Sequence, residues 1–354
     1  MYMPINIRNR VELRETLQQS LLSISETDEE TKPERMFKGF IIESNVPSPL
    51  LLKEQQGFEV NTTDETSLNL LRVGENLFYI DSLDPRFWLV YTSERSNEAT
   101  STLRKIIEKE NSLLDGIWFS SKGLSKILSL GKSVGFGIKY ENKFVEGSDE
   151  YLDTMSMQVR GGRPERILNM LKTNPDTKDG VRLSKVGLQY KSIKTDIYYS
   201  GKFVINKGGQ IDEYFDLLNN IKDKYKSSIL KIEENNRIGI VRYENSFSLK
   251  GEVITIEFSK RLEDLEKFIG IIFSGNKPFR VLGIKYKLED GYYKVYGIDM
   301  HSYHKITFEI TSDYIRIYLG KHSCGNIITR LFANLEQYFQ PNIKIFDGQN
   351  EQII

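Results

Sequence analysis

Apolar positions recur along this chain with two spacings, one helical and one alternating, and their succession sketches the fold. Over residues 8–24, Val11, Leu13, Leu17, Leu21 and Ile24 fall on one helical stripe. The polar, acidic "SETDEETKPER" that follows reads as an exposed connector. "MFKGFIIES", "NLFYIDS" and "FWLVYTS" read as strands, the last leading to a helix over 97–110 and then to "DGIWFS". Ser120 or Ser121 caps a short helix from Lys122 to Leu130, which Gly131 stops. "GFGIKYENKF" predicts a hairpin around Glu141 and Asn142, and "RGGRPERILNMLK" sets Pro164 in the first turn of a helix. "TNPDTKDGVR" is rich in turn formers and marks a boundary.

The second half repeats the strand–loop–helix–strand plan. "KFVIN" precedes a helix with Ile211, Tyr214, Phe215, Leu218, Ile221 and Tyr225 on one face, and "SSILKIE" reads as the next strand. After "IGIVRYE", the plan returns with "VITIEFSK", a helix through Leu262, Leu265, Phe268 and Ile272, and "FRVLGIKYK". Strands "YYKVYGIDM", "KITFEI" and "YIRIYLG", a helix through Ile327, Ile328, Leu331 and Leu335, and a short strand complete the series. The expected class is α+β, mostly antiparallel, with ferredoxin-like β-α-β units in two domains. An acidic α+β domain spans 1–160, a basic helix and connector 161–190, and a C-terminal α+β domain 191–354.

Composition narrows the class. A hydrophobic fraction of 39%, with 19 Phe and 19 Tyr in 354 residues, supplies ample core material. A single cysteine excludes an internal disulfide framework. The opening "MYMPINIRNRVELRE" carries charge where a signal peptide needs an apolar run, so a cytoplasmic location without membrane contact is expected. The abundance of Ile, Lys and Asn predicts an AT-rich, bacterial genome. Formal net charge is zero, yet residues 1–100 hold 10 Lys+Arg against 17 Asp+Glu, whereas 160–207 hold 11 against 4. The middle segment therefore faces either the acidic first third or an outside polyanion.

Two stretches carry candidate chemistry. All three histidines and the cysteine lie between His301 and Cys324, with "HSYH" at a predicted hairpin tip. In an extended strand Asp299 and His301 share a face, so Asp299 would orient the His301 ring for a Cys324 nucleophile. His301, His304, His322 and Cys324 would alternatively supply four N/S ligands to a metal. Polar loop histidines with a small buried thiol outweigh both readings, and no cofactor or metal is expected. In the second stretch, Arg160, Gly161, Gly162, Arg163 and Arg166 set free backbone and guanidinium groups beside a helix start. Lys185, Lys191 and Lys194 extend this as an anion or nucleic-acid track with interleaved aromatics. "SLGKS" is no phosphate loop, because Lys126 stands where its first glycine is required.

The resulting expectation is a non-catalytic binding protein or complex subunit, contacting nucleic acid or another polyanion and working with a protein partner or larger assembly. Anti-phage defence would suit it. The alternative is a hydrolase, nuclease or peptidase, using Asp299, His301 and Cys324.

Overall fold

The computed structural model describes residues 3–4, 6–25, 36–52, 57–110, 112–141, 154–174, 181–244, 246–340, 342–348 and 352. The acidic connector, the turn after Glu141 and the centre of "TNPDTKDGVR" lie outside them. In chain order the first half holds α1 (Arg10–Ser25), β1 (Lys38–Ser44), β2 (Glu59–Thr62), β3 (Leu68–Val73), β4 (Asn76–Asp81) and β5 (Phe87–Thr92). Then come α2 (Ser96–Lys109), β6 (Leu114–Gly116), α3 (Ser121–Leu128), β7 (Lys132–Glu141), β8 (Thr154–Arg160) and α4 (Pro164–Thr173). β9 (Leu183–Tyr190), β10 (Ile193–Tyr198), β11 (Lys202–Lys207) and the long α5 (Ile211–Asn236) follow. The second half holds β12 (Gly239–Tyr243), β13 (Ser246–Lys250), β14 (Ile254–Glu257), α6 (Leu265–Ile272) and β15 (Val281–Glu289). It ends with β16 (Tyr292–Asp299), β17 (Lys305–Thr311), β18 (Tyr314–Leu319), α7 (Asn326–Tyr338) and β19 (Lys344–Phe346).

The class is α+β with antiparallel sheets. Eleven strands form one sheet in the order β2-β3-β4-β5-β1-β11-β10-β9-β7-β8, with β6 also on β1. Six more form a second sheet, β15-β16-β17-β18-β14-β19, and β12-β13 is a separate hairpin. Alternation along each strand divides the burial. Ile41 of β1 joins a core with Tyr214 and Leu218 of α5, whereas Phe40 and Ile42 join Leu103 and Ile106 of α2 on the opposite face. A third core joins Val295, Phe308 and Ile317 of the second sheet to Phe268 of α6 and Leu331 of α7.

Three details shape the site. β1 forks: Lys38–Phe40 pair with β11, while Ile42, Glu43 and Ser44 pair with Gly116, Asp115 and Leu114 of β6. β5 and β6 thus flank β1, and β5-α2-β6 is a β-α-β crossover split by one strand. β14 and β15 are separated by β18, β17 and β16, so the second half does not reproduce a four-stranded ferredoxin-like sheet. Third, "SSILKIE" is helix. Tyr225, Ile229, Ile232, Glu233 and Asn236 are buried at helical spacing, and extending a helix costs less than starting a strand elsewhere. Ile229 lies in the first core and Ile232 in the third, so one helix enters both.

The eleven-stranded sheet also runs past residue 160, through β9, β10 and β11 to Lys207. The expected boundary at 190/191 falls between two paired strands, with Tyr190 opposite Ile193. Inward residues such as Leu188, Ile193 and Phe203 belong to the same core as α5, which is why this segment is sheet and not connector.

Candidate functional site

The site lies where β1 forks. Glu43 and Asp115 face each other across β1 and β6, and both are fully buried. Two carboxylates removed from water require partners. Arg86, just before β5, donates from Nε to Glu43 Oε1 at 2.8 Å and from Nη1 to Glu233 Oε2 at 3.0 Å. Burial opposes charge on Arg86, but the bond to Glu233 and the field of Glu43 outweigh it and raise the pKa. Asp115 accepts from Arg280 Nη1 at 2.7 Å and from Arg330, and Arg330 also donates to Asp299. Burial raises the Asp115 pKa, but Arg330 and Arg280 more than offset that and hold it below the usual carboxylate value.

The histidine-bearing hairpin enters from the second sheet. Residues 300–304 join β16 to β17, and Asn45 at the end of β1 donates to His301 O at 2.9 Å. His301 is fully buried, and neither ring nitrogen makes a hydrogen bond among the described residues. Its Nε2 lies 3.5 Å from Glu43 Oε2. Cys324, at the entry to α7 and 5% exposed, has Sγ 3.2 Å from Glu43 Oε1 and 3.3 Å from Oε2. One donor atom from each of Glu43, His301 and Cys324 lies within 4.8 Å of the others. Burial first, and the Glu43 carboxylate second, push the Cys324 thiol well above its ordinary value.

Cys324 is the floor of a pocket of about 590 Å³ whose walls include Arg86, Arg237, Glu233, His304 and His322. His304 and His322 are exposed, with ring centroids 5.8 Å apart. Arg237, at the end of α5, pairs with Glu233 at 3.1 Å and donates to Ser323 O at 2.8 Å. The crowding of His and Cys in the sequence thus has a spatial counterpart, with two histidines at the pocket wall and the third beside the floor.

The predicted residues divide. His301 and Cys324 come together, but on Glu43. Asp299 accepts from the backbone N of His301 at 3.2 Å, from Ser302 Oγ at 3.0 Å and from Arg330, and does not hold the imidazole. His301 sits in the loop after β16 instead of extending it, so the face shared by alternating strand residues does not apply. The four-residue ligand set is split between wall and floor. Glu43, Arg86, Glu233 and Arg237 escaped sequence reasoning because they stand far apart in the chain. The available signal was a charge set inside an apolar strand, the Glu of "FIIES".

The basic segment is also dispersed. Arg160 Nη2 and Lys185 Nζ both reach Asp196 Oδ2, at 2.7 and 3.3 Å, and Lys191 pairs with Asp216 at 3.5 Å. Gly137 gives Lys185 room to lie across the sheet, since a Cβ there would come within 2.7 Å of its Cγ. Gly161 and Gly162 take φ of 71° and 65° before α4, with Arg163 and Arg166 exposed beside them, and Lys194 is half-buried. Lys202 stands over the Tyr198 ring at 4.1 Å and donates to Ser96 Oγ at 3.1 Å. Burial, then Arg104 and Lys185, lower its pKa to about 8.

No helix among the described residues is long and apolar enough to cross a membrane. The chain is similar to the uncharacterized protein MJECL33 of Methanocaldococcus jannaschii, with 27% identity covering 94% of this chain and 93% of that one. That relative is archaeal and lends no support to a bacterial origin. The model of the MJECL33-like protein family matches residues 1–354, and this chain belongs to that family.

Proposed function

We propose that the chain is a hydrolase acting in the pocket at the β1 fork, on a small or terminal anionic group. The observation that carries this reading is the convergence of two histidines, two arginines and the sole thiol on one concavity, with a buried Glu and His behind it. The concavity, near 590 Å³, is open to solvent and has room for one end of a larger molecule or a small group. Arg86 is engaged by Glu43 and Glu233, whereas Arg237, paired with Glu233 but partly exposed on the wall, is the guanidinium that can meet a phosphoryl or carboxylate group. His304 and His322, exposed and adjacent, serve proton transfer. The test is turnover of chromogenic phosphodiester, phosphomonoester, carboxylic ester and peptide substrates by the whole chain. The double variant His304→Ala/His322→Ala should lower kcat by about 100-fold with unchanged circular dichroism. Absence of turnover on all four classes, or an undiminished double variant, would defeat it.

A second reading, non-catalytic polyanion or nucleic-acid binding in a larger assembly, is favoured by one observation. Beyond burial, the like charges of Arg104 and Lys185 help depress the Lys202 amine, against the opposing pull of Asp196. A phosphate backbone would relieve that repulsion. Acylation of Lys202 in the free protein should rise through pH about 8, against about 10.4 for an ordinary lysine. If this surface binds nucleic acid, a single-stranded oligonucleotide should move the midpoint upward, and added salt should reverse the move. A midpoint unmoved at low salt rejects this reading.

A further inference from the structure

We infer that Glu43, His301 and Cys324 form a mononuclear site for a divalent transition metal of the zinc type, open on its fourth side to the pocket. The inference rests on the pocket reading and supplies its cofactor. Three observations carry it.

The first is His301. An imidazole sealed from water with both nitrogens lacking hydrogen bonds loses the solvation of two polar atoms, a cost that proteins ordinarily avoid. Coordination through Nε2, the atom 3.5 Å from Glu43 Oε2, would satisfy one of them.

The second is spacing. Zinc–ligand bonds of about 2.0–2.3 Å at tetrahedral angles set donor atoms roughly 3.3–3.8 Å apart. The measured separations are 3.5 Å from His301 Nε2 to Glu43 Oε2 and 3.3 Å from Cys324 Sγ to the same oxygen. One ligand atom from each of the three residues lies within 4.8 Å of the others, so an ion among them would draw His301 and Cys324 in to bonding distance where that edge exceeds the tetrahedral spacing.

The third is the surroundings. Arg86 takes Glu43 Oε1 and leaves Oε2 toward His301, the arrangement that fixes a monodentate carboxylate ligand. A mixed N, S and O donor set suits zinc and excludes the hard calcium and magnesium ions. Three protein ligands with one open position are the pattern of catalytic and not structural zinc. Cys324 is the ligand that borders the pocket, whereas Glu43 and His301 are fully buried behind it, so the fourth position would be reached past Cys324. Binding converts the Cys324 thiol to a thiolate, and its proton leaves to solvent as the ion enters.

The experiment uses the full chain purified from zinc-supplemented cells. Elemental analysis should give close to one zinc per chain. After chelation, cobalt(II) titration should give a near-ultraviolet thiolate-to-cobalt band saturating at one equivalent. Cys324→Ser should lose that band, and His301→Ala should weaken metal affinity on the order of 100-fold or more. His304→Ala and His322→Ala should retain the metal, which separates floor from wall. Substoichiometric zinc together with no cobalt band in the wild-type chain overturns the inference, whatever the variants do. So does metal lost with the wall histidines but kept without His301. Stoichiometric metal without turnover leaves the metal centre standing and defeats the hydrolase. Turnover by the chain together with substoichiometric zinc and no cobalt band does the reverse.

Discussion

Arg330→Met is expected to lower the unfolding free energy by about 3–5 kcal/mol, the cost of stranding buried charge. Arg330 is fully buried, it bridges Asp115 and Asp299, and its Nε donates to Phe279 O at 2.9 Å. Methionine fills most of the volume but leaves Asp299 with hydroxyl and backbone donors only, and Asp115 with Arg280 and Asn326. The loss comes from the two carboxylates and not from missing attraction, which gives the control. Adding Asp299→Asn to Arg330→Met should recover more than half of the loss, since Asp115 keeps Arg280 and a neutral buried set of similar shape is often tolerated. Urea unfolding of the single and double variants decides it. A single variant within 1 kcal/mol of wild type would mean that water reaches the network.

Trp88→Ala should cost about 3–5 kcal/mol by the same measurement. Trp88 is the largest fully buried side chain, on the β5 face that packs beneath α2. Truncation opens a cavity among Phe40, Phe78, Leu103 and Ile106, residues of strands and helix that cannot close over it together. Trp88→Phe should cost under about 1.5 kcal/mol, because it keeps the ring contacts and removes an indole N–H that has no hydrogen-bond acceptor among the described residues. Equal losses for Ala and Phe would show that the indole shape, not its volume, is what this core requires.

The sequence revealed most strands and helices because each follows a local rule. Ser120 does cap α3, accepting from Gly123 N at 3.0 Å, and Pro164 does open α4. What it concealed is non-local. β1 pairs with β5, β6 and β11, and nothing in "MFKGFIIES" says that its last three residues exchange one neighbour for another. The fork is what buries Glu43 beside Asp115, so the heart of the site was invisible to a reading that advances along the chain. "SSILKIE" misled for a related reason. Three apolar residues in seven fit a strand or a helix equally well, and the choice is made by the core that Ile229 and Ile232 reach. Asp299 and His301 were paired by strand alternation, a rule that fails where the strand gives way to a loop.

The continuity of α5 has a consequence for any attempt to use half of this protein as a module. Severing the backbone after Arg237 would release a piece with Ile232 uncovered, and another whose interior lacks that same side chain. Only one fragment can keep the shared rod. Transplanting either portion into a longer polypeptide would require a substitute for it, and the fragment deprived of Glu233 would also lose the bond at 2.8 Å that this carboxylate accepts from Gly325 N.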